Sequence, residues 1–128
     1  MADGGKKMST DWAVPIDQLA GFMARSDLWL AEAGIEQVAR FGHVGNGHPH
    51  YNLLLRNGAE VERAEAVVDR MCEEACALGG TITAEHGVGK VKKPYLHHRF
   101  SVLELASMRA IKDLFDPDGL LAPGNLFP

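Results

Sequence analysis

The stretch Gly42 to Asn52, GHVGNGHPHYN, decides how this chain is read. Residues 36–41 run into it as one strand candidate, and Tyr51 to Leu55 leave it as another. Glycine adopts backbone conformations closed to other residues, and proline removes a donor, so Gly45, Gly47 and Pro49 rule out a helix here. His43 and His50 stand seven apart and would share a helix face; instead a loop or hairpin must bring them together. Downstream, Thr81 to Lys90 reads TITAEHGVGK, adding Glu85 and His86 on backbone again loosened by glycine. Two imidazoles and one carboxylate make a three-ligand metal set that keeps positions open for substrate.

Outward from these segments the pattern is α+β. Asp11 to Val14 is a short strand candidate, and Pro15 suits the first turn of a helix whose apolar stripe is Ile16, Leu19, Met23 and Leu30, ending at Gly34. Asn57-Gly58 breaks the chain before the clearest helix. There Val61, Ala64, Val67, Val68, Met71, Cys72, Ala75 and Leu78 follow three-four spacing, with Glu60, Glu62, Arg63, Asp69 and Arg70 among the solvent positions. Gly79-Gly80 stops it, and Thr81 to Thr83 is a short strand. Ser101 with Glu104 three residues on is a capping box, opening a helix whose expected buried side is Leu103, Ala106, Ala110, Ile111 and Leu114. Asp116-Pro117-Asp118-Gly119 is a turn, followed by an irregular tail. Strand, helix, strand, strand, helix predicts a partial ferredoxin-like antiparallel sheet with helices on one face, plus a C-terminal helix.

The 128 residues suit one domain, and 46% hydrophobic with 23% charged residues are ordinary globular values. A net charge of −4 argues against a nucleic-acid binder. No stretch approaches the ~20 apolar residues of a membrane span. Residues 1–9 lack the apolar core of a signal peptide and read as a disordered or vector-derived leader to a domain spanning 10–128. Cys72 and Cys76, four apart on one helix, read as reduced core thiols of a cytoplasmic protein rather than a disulfide framework.

His43, His50 and Glu85 are the candidate metal ligands. His86 is either a general base facing substrate or a solvent-exposed loop residue, since near a pKa of about 6.5 imidazole accepts protons at neutral pH. His48 is either a fourth ligand or a loop-tip residue, and His97 and His98 read as surface. GVGK at Gly87–Lys90 lacks the remaining positions of a phosphate loop, and no dinucleotide GxGxxG follows a strand. Lys90, Lys92 and Lys93 read as a solvated face, or as a short cationic run that attracts a carboxylate.

GHVGNGHPHYN, GGTITAEHGVGK and the closing IKDLFDPDGLLAPGNLF together resemble the C-terminal, cap part of FAD-linked oxidases of the vanillyl-alcohol-oxidase type. Within them the likeness is to the D-2-hydroxyacid dehydrogenase group, which includes D-lactate dehydrogenase, the glycolate oxidase flavin subunit and D-2-hydroxyglutarate dehydrogenase. The resemblance runs from Thr10 to the end. It implies a divalent metal, usually zinc, on His43, His50 and Glu85, with Asn52 hydrogen-bonding a small 2-hydroxyacid substrate. It also implies that His86 takes the hydroxyl proton as hydride passes to FAD. This chain departs from the family's GDGNxH loop at Asn46 and His48-Pro49, and from its NPGK tail at Ala122-Pro123-Gly124-Asn125.

The family's FAD-binding domain and the first half of its cap lie outside this sequence, so the expected entity is the second half of the cap, as a fragment or separately encoded subunit. It would need an FAD-binding domain or subunit as partner, and the half-cap's uncovered surfaces favour homo-oligomers. The alternatives are a stand-alone ferredoxin-like module that binds metal or dimerises, and a small metallohydrolase using the same ligand set. On the family reading, the purified chain alone is colourless; stoichiometric flavin absorbance would contradict it.

Overall fold

A computed structural model describes residues 5–127. Its sheet has three antiparallel strands in the order β1-β3-β2: β1 (Lys6–Ser9), β2 (Val38–His43) and β3 (His48–Leu55). Helix α1 (Leu19–Glu32) follows β1, α2 (Gly58–Ala77) follows β3, and α3 (Val102–Phe115) comes last. The α+β class is that read from the sequence, as are the helix, two strands and helix that follow β1; the first strand itself lies at Lys6–Ser9 rather than at Asp11 to Val14.

The decisive segment is a hairpin. β2 ends at His43, one 3-10 turn covers Val44–Asn46, and β3 begins at His48, directly opposite His43 in the register. Both strands therefore reach further into the glycine-rich stretch than alternation alone suggested. Gly47 closes the turn in the left-handed region at φ 63°, its carbonyl accepting from the Val14 N–H at 2.9 Å. A Cβ on Gly47 would stand 2.0 Å from the Val14 carbonyl oxygen, so both conformation and space demand glycine.

Side chains alternate across β3. Tyr51, Leu53 and Leu55 enter the core with Phe22, Trp29 and Leu30 of α1 and Val68, Met71 and Cys72 of α2. Trp12 centres this packing edge-on to Phe22 and Tyr51, with ring centroids 5.7 and 5.8 Å away. Its indole N–H points at the Cys72 sulfur, 3.3 Å away, and burial pushes that thiol's pKa up. The opposite face of the sheet carries His48, His50 and Asn52 of β3, with Phe41 and His43 of β2 alongside. Interior packing thus holds one face while the other is left for polar side chains.

Several expectations need correction. Within the stretch read as a leader, residues 6–9 form β1, paired with β3 from Lys6–Leu55 to Ser9–Asn52; residues 1–4 lie outside the described residues. Asp11 to Val14 and Thr81 to Thr83 meet only in a single bridge, Ala13 to Thr81; just past it the Asp11 carboxylate takes the Ala84 N–H. Ile16 is exposed in a 3-10 turn, and Phe22 and Trp29 provide the bulk of the α1 stripe instead. Glu60, assigned to solvent, is buried: its carboxylate accepts from the Arg56 backbone N–H and Nε, both at 2.7 Å. The capping box at Ser101 and Glu104 forms, but α3 buries no side chain; Leu103, Ile111 and Leu114 all face solvent.

Gly47→Ala should cost at least about 1 kcal/mol in urea unfolding, because a left-handed backbone and a backbone clash coincide. Gly45→Ala, whose Cβ meets nothing within 4 Å, should stay within about 0.5 kcal/mol of wild type. Equal midpoints for the two variants would refute this account of the hairpin.

Candidate metal centre

The exposed face of the hairpin and the residues 83–86 loop enclose a cavity of about 430 Å³. His43, His50 and Asn52 line it from the strands, Glu85 and His86 from the loop, and Lys7 from β1. Glu85 reaches both sequence-proposed histidines: Oε2 lies 3.4 Å from His43 Nε2 and Oε1 lies 3.1 Å from His50 Nε2. His48 stands beside them, so that one ligand atom from each of His43, His48, His50 and Glu85 lies within 4.8 Å of the others.

The protons of His50 carry the chemical argument. Its Nδ1 faces the Thr10 carbonyl oxygen at 3.2 Å, and a carbonyl only accepts, so Nδ1 bears the hydrogen. In the neutral ring Nε2 is then a lone pair, yet it faces a carboxylate oxygen. Two acceptors at 3.1 Å need a positive charge between or on them, either a proton or a metal cation. The ring is almost fully buried while Glu85 opposite it is about half exposed, so the gap between the two acceptors opens to the cavity. A backbone carbonyl on the far nitrogen is also the usual support for a metal-ligating histidine. His43 and Glu85 are about half exposed, leaving the site's outer side open.

Beneath this cluster is Asp11, a residue that sequence reasoning passed over as part of a strand. Its side chain is fully buried. It accepts from the backbone N–H groups of Ala84 and His86 at 3.1 and 3.0 Å, from that of Glu85, and from the Thr83 hydroxyl at 2.9 Å. Lys92 Nζ lies 2.5 Å away, and the His48 Nε2–H donates at 2.9 Å. Burial works to raise its pKa, but the hydrogen bonds from Lys92, the His86 N–H and Thr83 outweigh it. The carboxylate is held well below its ordinary range. No sequence spacing signals such a hub, since its donors come from 37 to 81 residues downstream.

His48 is thus not a loop-tip residue: it opens β3, buried against Asp11. Lys92 is not part of a solvated face but the counter-ion of that buried acid. Residues 84–86 are bends, so the adjacent Glu85 and His86 side chains line the same cavity. The His86 ring stacks on His50 at 5.2 Å, with Nδ1 3.7 Å from Asp11 Oδ1 and Nε2 3.6 Å from Glu85 Oε1. Asn52 sits two residues beyond His50 on the same strand face, half-buried. His98 has a partner after all, Asp69 at 2.8 Å, while His97 is exposed.

Comparison with known proteins agrees in kind. The family model for FAD linked oxidases, C-terminal domain, matches residues 1–126. A Bacillus subtilis protein named glycolate oxidase subunit GlcD is 39% identical over 119 residues, covering 91% of this chain and 25% of that protein. A D-2-hydroxyglutarate dehydrogenase of Xanthomonas citri pv. viticola is 37% identical over 122 residues, covering 91% of this chain and 26% of that one. A mitochondrial D-lactate dehydrogenase [cytochrome] of Arabidopsis thaliana is 35% identical over 130 residues, covering 100% and 23%. The chain therefore spans about a quarter of the length of these relatives.

Asp11→Asn should lower the unfolding free energy by roughly 3–5 kcal/mol at neutral pH, since it leaves Lys92 buried beside a neutral group. Because the folded pKa lies below the ordinary 3.8, Asp11 contributes its full stability above that value. The contribution is lost as pH falls from there toward the folded pKa, so wild-type and variant curves should converge in acid. A wild-type advantage that persists undiminished far below pH 3.8 would remove Asp11 from this role.

Proposed function

Because this chain belongs to the family of FAD-linked oxidase C-terminal domains, we propose that it is the substrate- and metal-binding portion of an FAD-dependent D-2-hydroxyacid dehydrogenase. The observation that carries the proposal is the His50 ring, one nitrogen donating to a backbone carbonyl and the other aimed at Glu85. His43, His50 and Glu85 are the ligands, and two nitrogens with one oxygen suit zinc or a similar divalent ion. When bound, the metal supplies Lewis-acid polarisation of substrate oxygens and FAD supplies the hydride acceptor.

The chain's own residues do the rest. Asn52 hydrogen-bonds the substrate within the cavity, and Lys7 offers a cation to its carboxylate. His86 Nε2 accepts the hydroxyl proton. The imidazolium so formed is stabilised by Asp11, whose Oδ1 lies 3.7 Å from His86 Nδ1 and which stays ionised at all working pH values. Asp11 also positions the reacting loop, since it holds the backbone N–H groups of Glu85 and His86. Named relatives act on glycolate, D-2-hydroxyglutarate and D-lactate, so a small D-2-hydroxyacid is the substrate class we assign.

The partner is the flavin-binding part of the enzyme, in the same polypeptide or as a subunit. The exposed apolar side chains of α3, among them Leu103, Leu114 and Phe115, support a covering partner there; self-association is the competing use of that face. Among the described residues no helix is long and apolar enough to cross a membrane. The unbridged thiols of Cys72 and Cys76 favour a reducing, cytoplasmic setting.

Elemental analysis after dialysis should find one equivalent less divalent metal in His43→Ala than in wild type. Mixed with a flavin-binding partner and an artificial electron acceptor, the wild-type chain should support D-2-hydroxyacid oxidation. His86→Ala should retain the metal and lose about 10²–10⁴-fold in kcat. Unchanged metal content in His43→Ala, or hydrolytic activity without flavin, would overturn the proposal.

A further inference from the structure

A second group of ligating side chains lies outside the site just described. Residues Lys93–His98 form a 3-10 helix that packs on α2 through the buried Leu96. Its last turn sets His97 and His98 side by side, ring centroids 3.9 Å apart, over Asp69 of α2. One ligand atom from each of Asp69, His97 and His98 lies within 4.8 Å of the other two.

From this cluster we infer a second divalent-cation site, built of two imidazoles and one carboxylate, that takes a zinc- or nickel-like ion. Three features distinguish it from an ordinary surface pair. The His97 Nδ1–H donates to the Pro94 carbonyl at 2.8 Å, which orients the ring and leaves Nε2 as a lone pair for a cation. His98, only 12% exposed, directs Nε2 at Asp69 Oδ1 2.8 Å away. Widening that gap by about half an ångström accommodates an ion bound to both at ~2.0–2.1 Å in tetrahedral geometry. Arg70, the neighbouring cation on α2, lies over the Trp29 ring at 4.1 Å and so leaves Asp69 to the histidines.

The ion ties the 3-10 helix to α2, and this bears on the first site. Lys92, the counter-ion of Asp11, immediately precedes that helix, and its carbonyl accepts from the Tyr95 N–H at 3.0 Å. The second site is therefore structural: it fixes the segment that delivers Lys92. Water completes the coordination of a three-ligand site of this kind.

The test uses the full chain without a polyhistidine tag, stripped by chelator and titrated with zinc sulfate. Bound metal is counted by elemental analysis after gel filtration, and thermal unfolding is followed in parallel. Wild type should bind two ions, with His97→Ala and His43→Ala binding one each and the double variant none. His97 and His43 are both exposed, so neither substitution threatens the core. Zinc should raise the unfolding temperature of His43→Ala, and this shift should vanish in the double variant. Equal stoichiometry in wild type and His97→Ala, or no zinc-induced shift in His43→Ala, would reduce the cluster to a hydrogen-bonded histidine–carboxylate pair. The second outcome leaves the proposed function untouched, because that reading fails on unchanged metal content in His43→Ala or on hydrolysis without flavin, and neither result depends on His97 or His98.

Discussion

The side chain of Asp11 is the constraint on which the polar half of this molecule depends. A carboxylate without solvent access is tolerable only when its oxygens are fully hydrogen-bonded and its charge is paired. Here Lys92, His48, the Thr83 hydroxyl and three consecutive backbone N–H groups meet that requirement. Satisfying it has a structural consequence. The residues 83–86 loop is drawn down onto the sheet, and Glu85 and His86 are delivered next to the hairpin histidines. The loop has almost no regular secondary structure of its own. Its shape is that of the anion it wraps.

The hairpin supplies the complementary half. In an antiparallel pair, directly opposed residues share a face, so the register His43–His48 and Phe41–His50 puts three imidazoles on one side of two strands. Tyr51 and Leu53, at the alternate positions of β3, face the core. The same alternation therefore anchors the strand and exposes its ligands, and a one-residue slip would bury the histidines among the aromatic rings. Rigid support of this kind is what a metal-binding or proton-transferring cluster requires, because its geometry must be held before ligand arrives.

The remaining surface is less self-sufficient. Among the described residues β1 pairs on one side only, and α3 satisfies its N-terminus with a capping box while exposing apolar side chains along most of its length. A helix with good local signals but no buried face derives its stability from contacts made elsewhere. That fits a chain matching the C-terminal domain of much longer flavin-linked relatives.

Much of the fold was legible in the sequence because it rests on local rules. Three-four spacing located α2 and its buried face, Asn57 and Ser101 marked helix starts, and glycine and proline between two apolar runs forced the reversal at Gly42–Asn52. The sequence also named the side chains that meet in the cavity, since histidine and glutamate on glycine-rich segments carry recognisable chemistry. Whether each polar residue lies inside or outside was not legible. Asp11, Glu60 and Lys92 look like solvent residues in their own neighbourhoods, and His48 like turn material. All four are held away from water by partners that a linear pattern does not identify, however near or far along the chain. The apolar stripe of α3 misled in the opposite sense, because amphipathic spacing states which face is available for packing and not whether anything packs on it. Local propensity therefore determined the elements and the chemistry on offer. Only the tertiary arrangement decided which charges are buried and paired, because that depends on distances between segments that meet only once the chain has folded.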